Sequence, residues 1–293
     1  MNIAIIGAGE IGQGILNSLD PKNKILISDR NLDKIPNLVT AEEAVKDADL
    51  VFYCVPSSGV RPAIVSTAPL LKETSFVVSL TKGIEAQSGL FIYDLFDTFV
   101  DPMRFALLSG PMLAEELGSG KGAAGTVASR NSQIFDLLKT VFKPNYIKLD
   151  YSNDVKSVAL SGVLKNVYSL LFGISDGLGF GNNIKGLLVS KFLLESEAIS
   201  KKLKMSEKIF LGESGFADFI ATAFSPLSLN RQAGMEIAKG NKAWAKSSEG
   251  ENSLPVLLKM LGDSSDLPAL SAIKDIFLEN KEPLPILRKL IYG

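Results

Sequence analysis

Residues 1–12, MNIAIIGAGEIG, decide the fold that this sequence predicts. The apolar run Asn2–Ile6 indicates a buried strand, and glycines in the spacing G-x-G-x-x-G follow it directly. In this spacing the first glycine permits a tight turn, the second lets a pyrophosphate approach the backbone, and the third lets the next helix pack against the strand. The N-terminal N–H groups of that helix also favour a phosphate. The stretch therefore predicts a dinucleotide-binding turn rather than a glycine turn without a nucleotide, with contacts at Gly7, Gly9, Glu10, Ile11 and Gly12.

An acidic residue follows the next predicted strand. Asp29 lies 22 residues after Gly7, where the carboxylate that binds a ribose is expected. Such a carboxylate accepts hydrogen bonds from both ribose hydroxyls and repels a 2′-phosphate, which favours NAD. Arg30 comes next and would bind such a phosphate, so NADP stays open as the alternative.

The first half of the chain alternates short apolar runs with helical patterns. Several runs are continuously apolar, which is typical of strands covered on both faces and hence of a mostly parallel sheet. After residue 150 long helical patterns dominate. We therefore expect an α/β fold, in which a Rossmann-type doubly wound, mostly parallel sheet domain (1–150) precedes an all-helical C-terminal domain for substrate and catalysis (151–293).

The boundaries of these elements follow from the apolar periodicity. The predicted strands are Asn2–Ile6, Ile25–Ser28, Asp49–Val55, Ser75–Leu80, Phe105–Ser109, Gly125–Ala128 and Tyr146–Leu149. The predicted helices of the sheet domain are Ile11–Leu19, Ala41–Lys46, Gly59–Leu71 and Leu90–Phe99. Those of the second domain are Asp154–Ile174, Ile184–Leu203, Ala233–Ala238 and Pro255–Leu261, with more toward the C-terminus.

Composition narrows the functional classes. The 293 residues are 46% apolar and 22% charged with a formal net charge of −1, which indicates neither nucleic acid nor a charged membrane as a partner. The absence of histidine removes serine–histidine and cysteine–histidine catalysis and histidine-ligated metals, and the single cysteine, Cys54, excludes an internal disulfide. No metal site is expected, and proton transfer must use Lys, Asp, Glu, Tyr or water. The N-terminus lacks the pattern of a signal peptide, so a cytoplasmic location is expected.

One helical segment carries a lone charge. From Ser157 to Ser175 (SVALSGVLKNVYSLLFGIS), Lys165 is the only charged residue. At 100° per residue Lys165 lies opposite an apolar stripe, on a face that is small or aromatic rather than charged, so the helix is buried or lines a cleft. The stripe contains Leu160, Val163, Leu164, Val167, Leu170, Leu171 and Ile174, and the face of Lys165 contains Ser161, Gly162, Tyr168, Ser169 and Phe172.

This pattern leaves two interpretations of Lys165. Its ammonium snorkels to solvent, or it is a desolvated amine whose pKa burial and a neighbouring cation lower from about 10.4 to about 8. A membrane span is disfavoured, because a lysine at the centre of a bilayer costs roughly 2.5–3.5 kcal/mol.

Five segments, in order along the chain, carry a resemblance to a known family. They are GAGEIG (7–12), SLTKGIE (79–85), LSGPMLAEEL (108–117), LKNVYSLLFGISDGLGFGNN (164–183) and GESGFADFIATAFSPLSLNRQAG (212–234). Together they resemble the NAD(P)-dependent glycerol-3-phosphate dehydrogenases from the first strand to the last helices. The resemblance implies a dinucleotide-binding sheet domain, a helical domain, and hydride transfer between NAD(P)H and the central carbonyl of dihydroxyacetone phosphate, a small-molecule substrate.

The resemblance also implies residue roles. Lys165 matches the catalytic lysine that donates and accepts the proton, Lys82 the lysine near cofactor and substrate, and Asp218 the aspartate that would orient Lys165. Substrate contacts are implied for Lys82, Gly110, Lys165, Asp218, Ser228, Asn230 and Arg231, and cofactor contacts for Pro56, Lys82, Ala114 and Glu249. The alternatives are an exposed turn lysine for Lys82, a helix N-cap for Asp218, and turn formation for Ser228 and Asn230.

The match fails at the phosphate end of the substrate. The family pattern Ser-Arg-Asn-Arg is Ser-Leu-Asn-Arg at 228–231, so Leu229 replaces the arginine that grips the phosphate. Met112 replaces a serine and is expected to make one wall of the pocket less polar, and Ser58 replaces a histidine. Losing a charge-assisted clamp should weaken capture of a phosphorylated triose by roughly 10²–10³-fold. The candidate replacement cations are Arg231, Lys185 and Arg61.

The leading hypothesis is a glycerol-3-phosphate dehydrogenase with an atypical phosphate site. One alternative is a sibling NAD(P)-dependent dehydrogenase that acts on a different carbonyl compound through the same lysine. Another is a nucleotide-binding sensor with little turnover. A homodimer is common in such enzymes and is one expected assembly.

Overall fold

The computed structural model describes residues 1–241 and 248–293, and the chain separates into two compact units, Met1–Ala159 and Leu160–Gly293. The strands of the first unit are β1 (Asn2–Ile6), β2 (Lys24–Ser28), β3 (Leu50–Tyr53), β4 (Phe76–Ser79), β5 (Phe105–Ser109), β6 (Ala123–Ala128) and β7 (Ile147–Ser152). Its helices are α1 (Glu10–Ser18), α2 (Ala41–Val45), α3 (Ser57–Thr67), α4 (Ile92–Asp97), α5 (Ala114–Gly118) and α6 (Ser132–Val141).

The strands form one sheet in the order β2-β1-β3-β4-β5-β6-β7. Strands β1 to β5 are parallel, β6 is antiparallel to β5, and β7 is parallel to β6. β1 lies between β2 and β3, so the direction of chain progression across the sheet reverses beside β1. In open α/β sheets ligands bind outside the carboxyl ends of the strands at such a switch point, and the glycine turn follows β1 there.

The core of this sheet explains the continuous apolar runs in the sequence. Every residue of β3 and β5 is buried, as are the last four of β1. Side chains on both faces are therefore covered, which confirms the prediction of a mostly parallel, doubly wound sheet. The predicted strand boundaries agree to within three residues, and the largest difference is at β7, which extends to Ser152.

The second unit is helical in the residues that the structure describes. Its helices are α7 (Val155–Gly177, which begins in the first unit), α8 (Asn182–Leu203), α9 (Glu207–Phe210), α10 (Asp218–Phe224), α11 (Leu229–Ala238), α12 (Glu249–Leu261), α13 (Pro268–Phe277) and α14 (Pro283–Tyr292). A π-helical turn, Glu213–Ala217, leads directly into α10. The helical C-terminal domain is thereby confirmed as a class of structure, whereas its functional boundary at 150/151 stays a prediction.

Helix α7 is the core helix of the second unit. Its apolar stripe and the face around Lys165 are both buried. Glycines let neighbouring backbones approach it: a Cβ at Gly173 would lie 1.8 Å from the Arg231 carbonyl oxygen, and one at Gly234 would lie 2.0 Å from that of Leu170. In the part of the chain described, α7 is the one helix long and apolar enough to cross a membrane, but its apolar window is wholly buried in the protein, as in core helices.

A buried carboxylate organises helices α7, α8 and α13. Glu195 on α8 accepts a hydrogen bond from the Tyr168 hydroxyl at 2.6 Å and from the backbone N–H groups of Ala269 at 2.6 Å and Leu270 at 2.9 Å. These N–H groups belong to the first turn of α13, where a helix has no internal acceptors and where an anion is favoured. Burial raises the pKa of Glu195, and the three donors oppose that rise.

Replacing Glu195 should therefore lower the stability of the helical unit. Glu195→Ala leaves a hydroxyl and two N–H groups buried without their acceptor, and we expect the free energy of unfolding to fall by about 3 kcal/mol. Urea denaturation followed by circular dichroism measures this loss. The matched control is Glu197→Ala, whose carboxylate pairs with Lys201 on the surface and should contribute less than about 1 kcal/mol. Equal losses in the two variants would contradict this role of Glu195.

Candidate active site

The glycine turn after β1 has the geometry that a dinucleotide requires. Gly7 has a φ of +105° and donates its N–H to the Ser28 carbonyl at 2.8 Å, so the turn needs glycine there. A Cβ at Gly12 would lie 1.9 Å from the Gly7 carbonyl oxygen, so helix and turn touch at this point. At Gly9 a Cβ would meet only the Lys34 ammonium, at 4.0 Å. The open side of the turn is therefore at the glycine that a pyrophosphate must approach.

The residues around this turn fit the cofactor that the sequence predicts. Glu10 and Ile11 are the first residues of α1, whose N-terminus has no side-chain cap. Asp29 directly follows β2, and its Oδ2 accepts the Ala8 N–H at 2.8 Å. Burial alone would raise the pKa of Asp29, but the N–H groups of Ala8 and Asn31 and the Lys34 ammonium hold its pKa below the ordinary range. An ionised acid and a free helix end thus lie at one edge of the sheet.

Other predicted residues of the first unit lie at the ends of neighbouring elements. The Lys82 ammonium donates to the Gly110 carbonyl at 3.0 Å, so two residues with a predicted substrate role are in contact. Lys82 is half-buried, and its interpretation as an exposed turn lysine is wrong. Pro56 is the N-cap of α3, and Ala114 opens α5, where its carbonyl would lie 3.2 Å from a Cβ at Gly14 of α1.

A buried lysine and aspartate form the centre of the second unit. The Lys165 ammonium on α7 lies 3.2 Å from Asp218 Oδ1 and 2.8 Å from Thr222 Oγ1. Only 9% of the Lys165 side chain and 3% of the Asp218 side chain are exposed. The snorkelling interpretation of Lys165 is therefore wrong. The N-cap interpretation of Asp218 is also wrong, because Asp218 is already helical and its carboxylate faces the lysine.

Local structure places this pair. The π-helical turn Glu213–Ala217 precedes Asp218 at the start of α10, and Thr222 follows one turn later on the same face. π-helical turns occur frequently at functional sites. The three side chains close a ring, since Thr222 Oγ1 also lies 3.4 Å from Asp218 Oδ1. An ammonium held by a carboxylate and a hydroxyl in a dry environment is chemically suited to exchange a proton with a substrate oxygen.

A second polar cluster lies one residue from this lysine. Asn230 is buried, donates to the Asn166 side-chain oxygen at 2.9 Å and accepts the Gly250 N–H at 2.8 Å. It therefore joins α7, α11 and α12 beside Lys165, and is more than a turn former. Glu249, the first residue of α12, is half-buried next to Gly250.

The remaining predicted substrate residues have structural partners. Ser228 is the N-cap of α11 and accepts the Arg231 N–H at 3.3 Å. Arg231 donates through Nε to Asp176 Oδ2 at 2.5 Å and through Nη1 to the Phe224 carbonyl at 2.6 Å. Lys185 pairs with the other oxygen of the same carboxylate, Asp176 Oδ1, at 2.5 Å. Both candidate replacement cations of this unit are thus already bound to one acid.

The structure also shows the surroundings of Leu229, Arg61 and Met112, which concern the departures from the family pattern. Leu229, the first residue of α11, is 45% exposed. Arg61, the third candidate cation, makes a two-point ion pair with Glu85. Met112 was expected to line a pocket, but its side chain is buried in the apolar core of the first unit, where its sulphur would lie 3.5 Å from a Cβ at Gly125.

Sequence reasoning missed three residues that the structure brings to these clusters. Thr222 follows Asp218 by four residues, a helical spacing that would have placed both on one face. Asn166 immediately follows Lys165 and gave no signal of its own. Lys34 lies in an irregular segment after Asp29, where no periodicity exists to place a side chain. In the residues described, no group of three His, Cys, Asp or Glu side chains is arranged to hold a metal ion.

An open glycine turn, with an acidic residue directly after the next strand, makes the first unit a dinucleotide-binding domain. The class that combines such a domain with a helical unit is the NAD(P)-dependent dehydrogenases. Two models of known protein families match this chain. The model for the NAD-dependent glycerol-3-phosphate dehydrogenase N-terminus matches residues 22–135, and that for the C-terminus matches residues 154–288. This chain belongs to the NAD-dependent glycerol-3-phosphate dehydrogenase family, as the five segments predicted.

Individual relatives agree with this membership. A glycerol-3-phosphate dehydrogenase (NAD(P)+) from Campylobacter lari is 34% identical over 240 residues, which cover 82% of this chain and 79% of that protein. One from Teredinibacter turnerae is 27% identical over 100% of this chain and 95% of its own. The solved glycerol-3-phosphate dehydrogenase of Coxiella burnetii matches 99% of this chain and 98% of its own with a TM-score of 0.90 at 23% identity, which shows the fold.

A substitution in the glycine turn should weaken NADH binding without destabilising the fold. Gly9→Ala fits the structure without a clash, because its backbone is extended and its Cβ would lie in open space, but the methyl group would oppose a pyrophosphate. We expect the dissociation constant for NADH to rise about 10–100-fold, as for an overpacked contact of 1–3 kcal/mol, while thermal stability stays within about 0.5 kcal/mol. Nucleotide fluorescence titration and thermal unfolding measure the two quantities.

The contrasting variant is Gly12→Ala. Its Cβ would collide with the Gly7 carbonyl, so this variant should lose stability whether or not NADH is bound. Unchanged NADH binding in Gly9→Ala would show that no pyrophosphate approaches this turn.

Proposed function

We propose that this chain catalyses the NAD(P)-dependent interconversion of dihydroxyacetone phosphate and glycerol 3-phosphate. The observation that carries the proposal is the buried Lys165 ammonium, bonded to Asp218 and Thr222. A chain without histidine needs another group to exchange the proton of the reaction, and this ammonium is positioned by two neighbours. Relatives that share 27–34% identity with the chain carry the name glycerol-3-phosphate dehydrogenase.

Reduction of the ketone creates negative charge on its oxygen. Lys165 donates a proton to that oxygen, and in the reverse direction the neutral amine accepts it. The Asp218 carboxylate and the Thr222 hydroxyl oxygen each accept a hydrogen bond from the ammonium and thereby fix its position. On the basis of the family resemblance, Lys82 is proposed as a further substrate contact, and the Gly110 carbonyl accepts a hydrogen bond from its ammonium.

The cofactor role falls mainly to the glycine turn. NAD(P)H supplies the hydride when it is bound. Gly7, Gly9 and Gly12 shape the turn, Glu10 and Ile11 present the first N–H groups of α1, and Asp29 binds the adenosine ribose. Pro56, Lys82, Ala114 and Glu249 are proposed as further contacts, on the basis of the family resemblance.

The phosphate end of the substrate is proposed to be held weakly. Leu229 provides no charge, and the two candidate replacement cations of this unit, Arg231 and Lys185, are both bound to Asp176. Asn230 and Ser228 remain as polar contacts, and Arg231 would contribute only by exchanging its bond to Asp176. The same observation favours a second candidate, a dehydrogenase of the same mechanism that acts on an unphosphorylated carbonyl compound.

One assay tests the proposal and its competitors. NADH absorbance is followed with dihydroxyacetone phosphate and with a panel of other ketones and keto acids. Oxidation at ordinary turnover with the phosphate ester supports the proposal, and oxidation with another carbonyl compound alone supports the second candidate. Tight NADH binding without oxidation by any compound would contradict both and leave a nucleotide sensor.

The catalytic role of Lys165 has its own test. Lys165→Met should lower kcat by at least about 10²–10⁴-fold, the usual contribution of general acid–base catalysis, and leave the dissociation constant for NADH unchanged. Stopped-flow turnover and fluorescence titration measure the two.

The single variant leaves the Asp218 charge buried, so stability needs a control. The double variant Lys165→Met/Asp218→Asn removes that charge, should fold like the wild type and should be equally inactive. Thr222→Ser keeps the hydroxyl and should retain most of the turnover. If Lys165→Met kept the wild-type turnover, Lys165 would have only a structural role.

Leu229→Arg tests the phosphate site. Restoring a guanidinium at the exposed first residue of α11 should lower KM for dihydroxyacetone phosphate about 10–100-fold with a smaller change in kcat. The matched control is Leu227→Arg, an equally exposed leucine two residues earlier, which should leave KM unchanged. Equal effects of the two substitutions, or no effect of Leu229→Arg, would mean that another group already binds the phosphate.

Location and assembly complete the proposal. We propose a cytoplasmic enzyme and a homodimer, both on the basis of the family resemblance. Size-exclusion chromatography with light scattering tests the assembly.

A further inference from the structure

Lys34 lies beside Asp29 and the glycine turn, although it belongs to no recognised sequence motif. Its ammonium donates to Asp29 Oδ2 at 3.1 Å, the same oxygen that accepts the Ala8 N–H at 2.8 Å. It is also the atom nearest to a Cβ built at Gly9, at 4.0 Å. The ammonium therefore lies between the ribose-binding acid and the open side of the glycine turn.

The segment after β2 is folded so that Lys34 returns to this edge. Asp29 Oδ1 accepts the Asn31 N–H at 3.2 Å, and the Asn31 carbonyl accepts the Lys34 N–H at 3.2 Å. These bonds form a compact turn that brings a residue five positions beyond Asp29 back to its carboxylate. Arg30, within the same turn, is exposed.

A carboxylate at this position normally excludes NADP, because it repels the 2′-phosphate. Here an ammonium already neutralises one oxygen of that carboxylate. About 40% of the Lys34 side chain is exposed, so its flexible stem can move from Asp29 to a nearby anion. The Asp29 side chain is 17% exposed, and after such a move it still accepts the N–H groups of Ala8 and Asn31.

We propose that Lys34 determines the use of NADP(H) by this chain, by exchanging Asp29 for the 2′-phosphate of the adenosine ribose, with Arg30 as a second cation. With NAD(H), Lys34 stays on Asp29, whose carboxylate accepts from the ribose hydroxyls. The same site thereby binds both nucleotides. This inference rests on the proposed function, since it concerns the cofactor of that reaction.

The test is direct binding and needs no turnover. Dissociation constants for NADH and NADPH are measured by fluorescence titration for the wild type, Lys34→Met and Lys34→Arg. We expect Lys34→Met to raise the constant for NADPH about tenfold, equivalent to about 1.4 kcal/mol, and that for NADH less than threefold. Lys34→Arg keeps the charge and should keep the wild-type preference. The wild-type affinity for NADPH should fall more steeply with salt than that for NADH.

The control is Lys22→Met, which removes a lysine from another exposed ion pair of the same unit, with Asp20 at 3.1 Å. It should change neither constant. Equal weakening of both nucleotides by Lys34→Met would overturn the proposal, because it would place Lys34 on the shared pyrophosphate. No weakening of NADPH, or no NADPH binding by the wild type, would overturn it too. If NADH binds normally in these cases, the proposed dehydrogenase function stands; if neither nucleotide binds, that function fails as well.

Discussion

The ion pair between Lys165 and Asp218 is the interaction on which the second unit depends. An ammonium and a carboxylate are held 3.2 Å apart with less than a tenth of either side chain exposed. Removing two charges from water is costly, and removing one partner of such a pair typically costs 3–5 kcal/mol. A buried ion pair is therefore weak evidence for stability alone. The pair lies in the core with a threonine that bonds to both groups, which is the arrangement that the proposed proton exchange by Lys165 requires.

Small residues on helix α7 and on the helices that face it let their backbones pack closely. Gly173 and Gly177 on α7, Gly234 on α11 and Gly250 on α12 all lie where a Cβ would collide with a facing backbone or side chain. The Asn230 side chain then joins α7 to α12 next to Lys165, so one polar network and one close-packed helix contact fix the same region.

The sequence predicted regular features well and irregular ones poorly. Continuous apolar runs gave the seven strands, and the periodicity around Lys165 gave a helix without a solvated face. Thr222 was missed because α10 was not among the predicted helices, so its four-residue spacing from Asp218 was not used. Lys34 was missed because its position depends on hydrogen bonds within a short turn. The reversal of β6 was not predicted, since an apolar run does not encode strand direction.

Asp176 decides whether another cation can replace the arginine that the family pattern has at the position of Leu229. This carboxylate binds Lys185 through one oxygen and Arg231 through the other, and all three side chains are at least 80% buried. Releasing Arg231 to a phosphate would break a 2.5 Å contact in a region of low dielectric, where a charge-assisted bond is strong. The interaction of Arg231 with the phosphate would have to be stronger than its interaction with Asp176 before the affinity for substrate rose. A cation two residues away in sequence therefore does not replace the arginine of the family pattern, because the Arg231 guanidinium is already bound to Asp176.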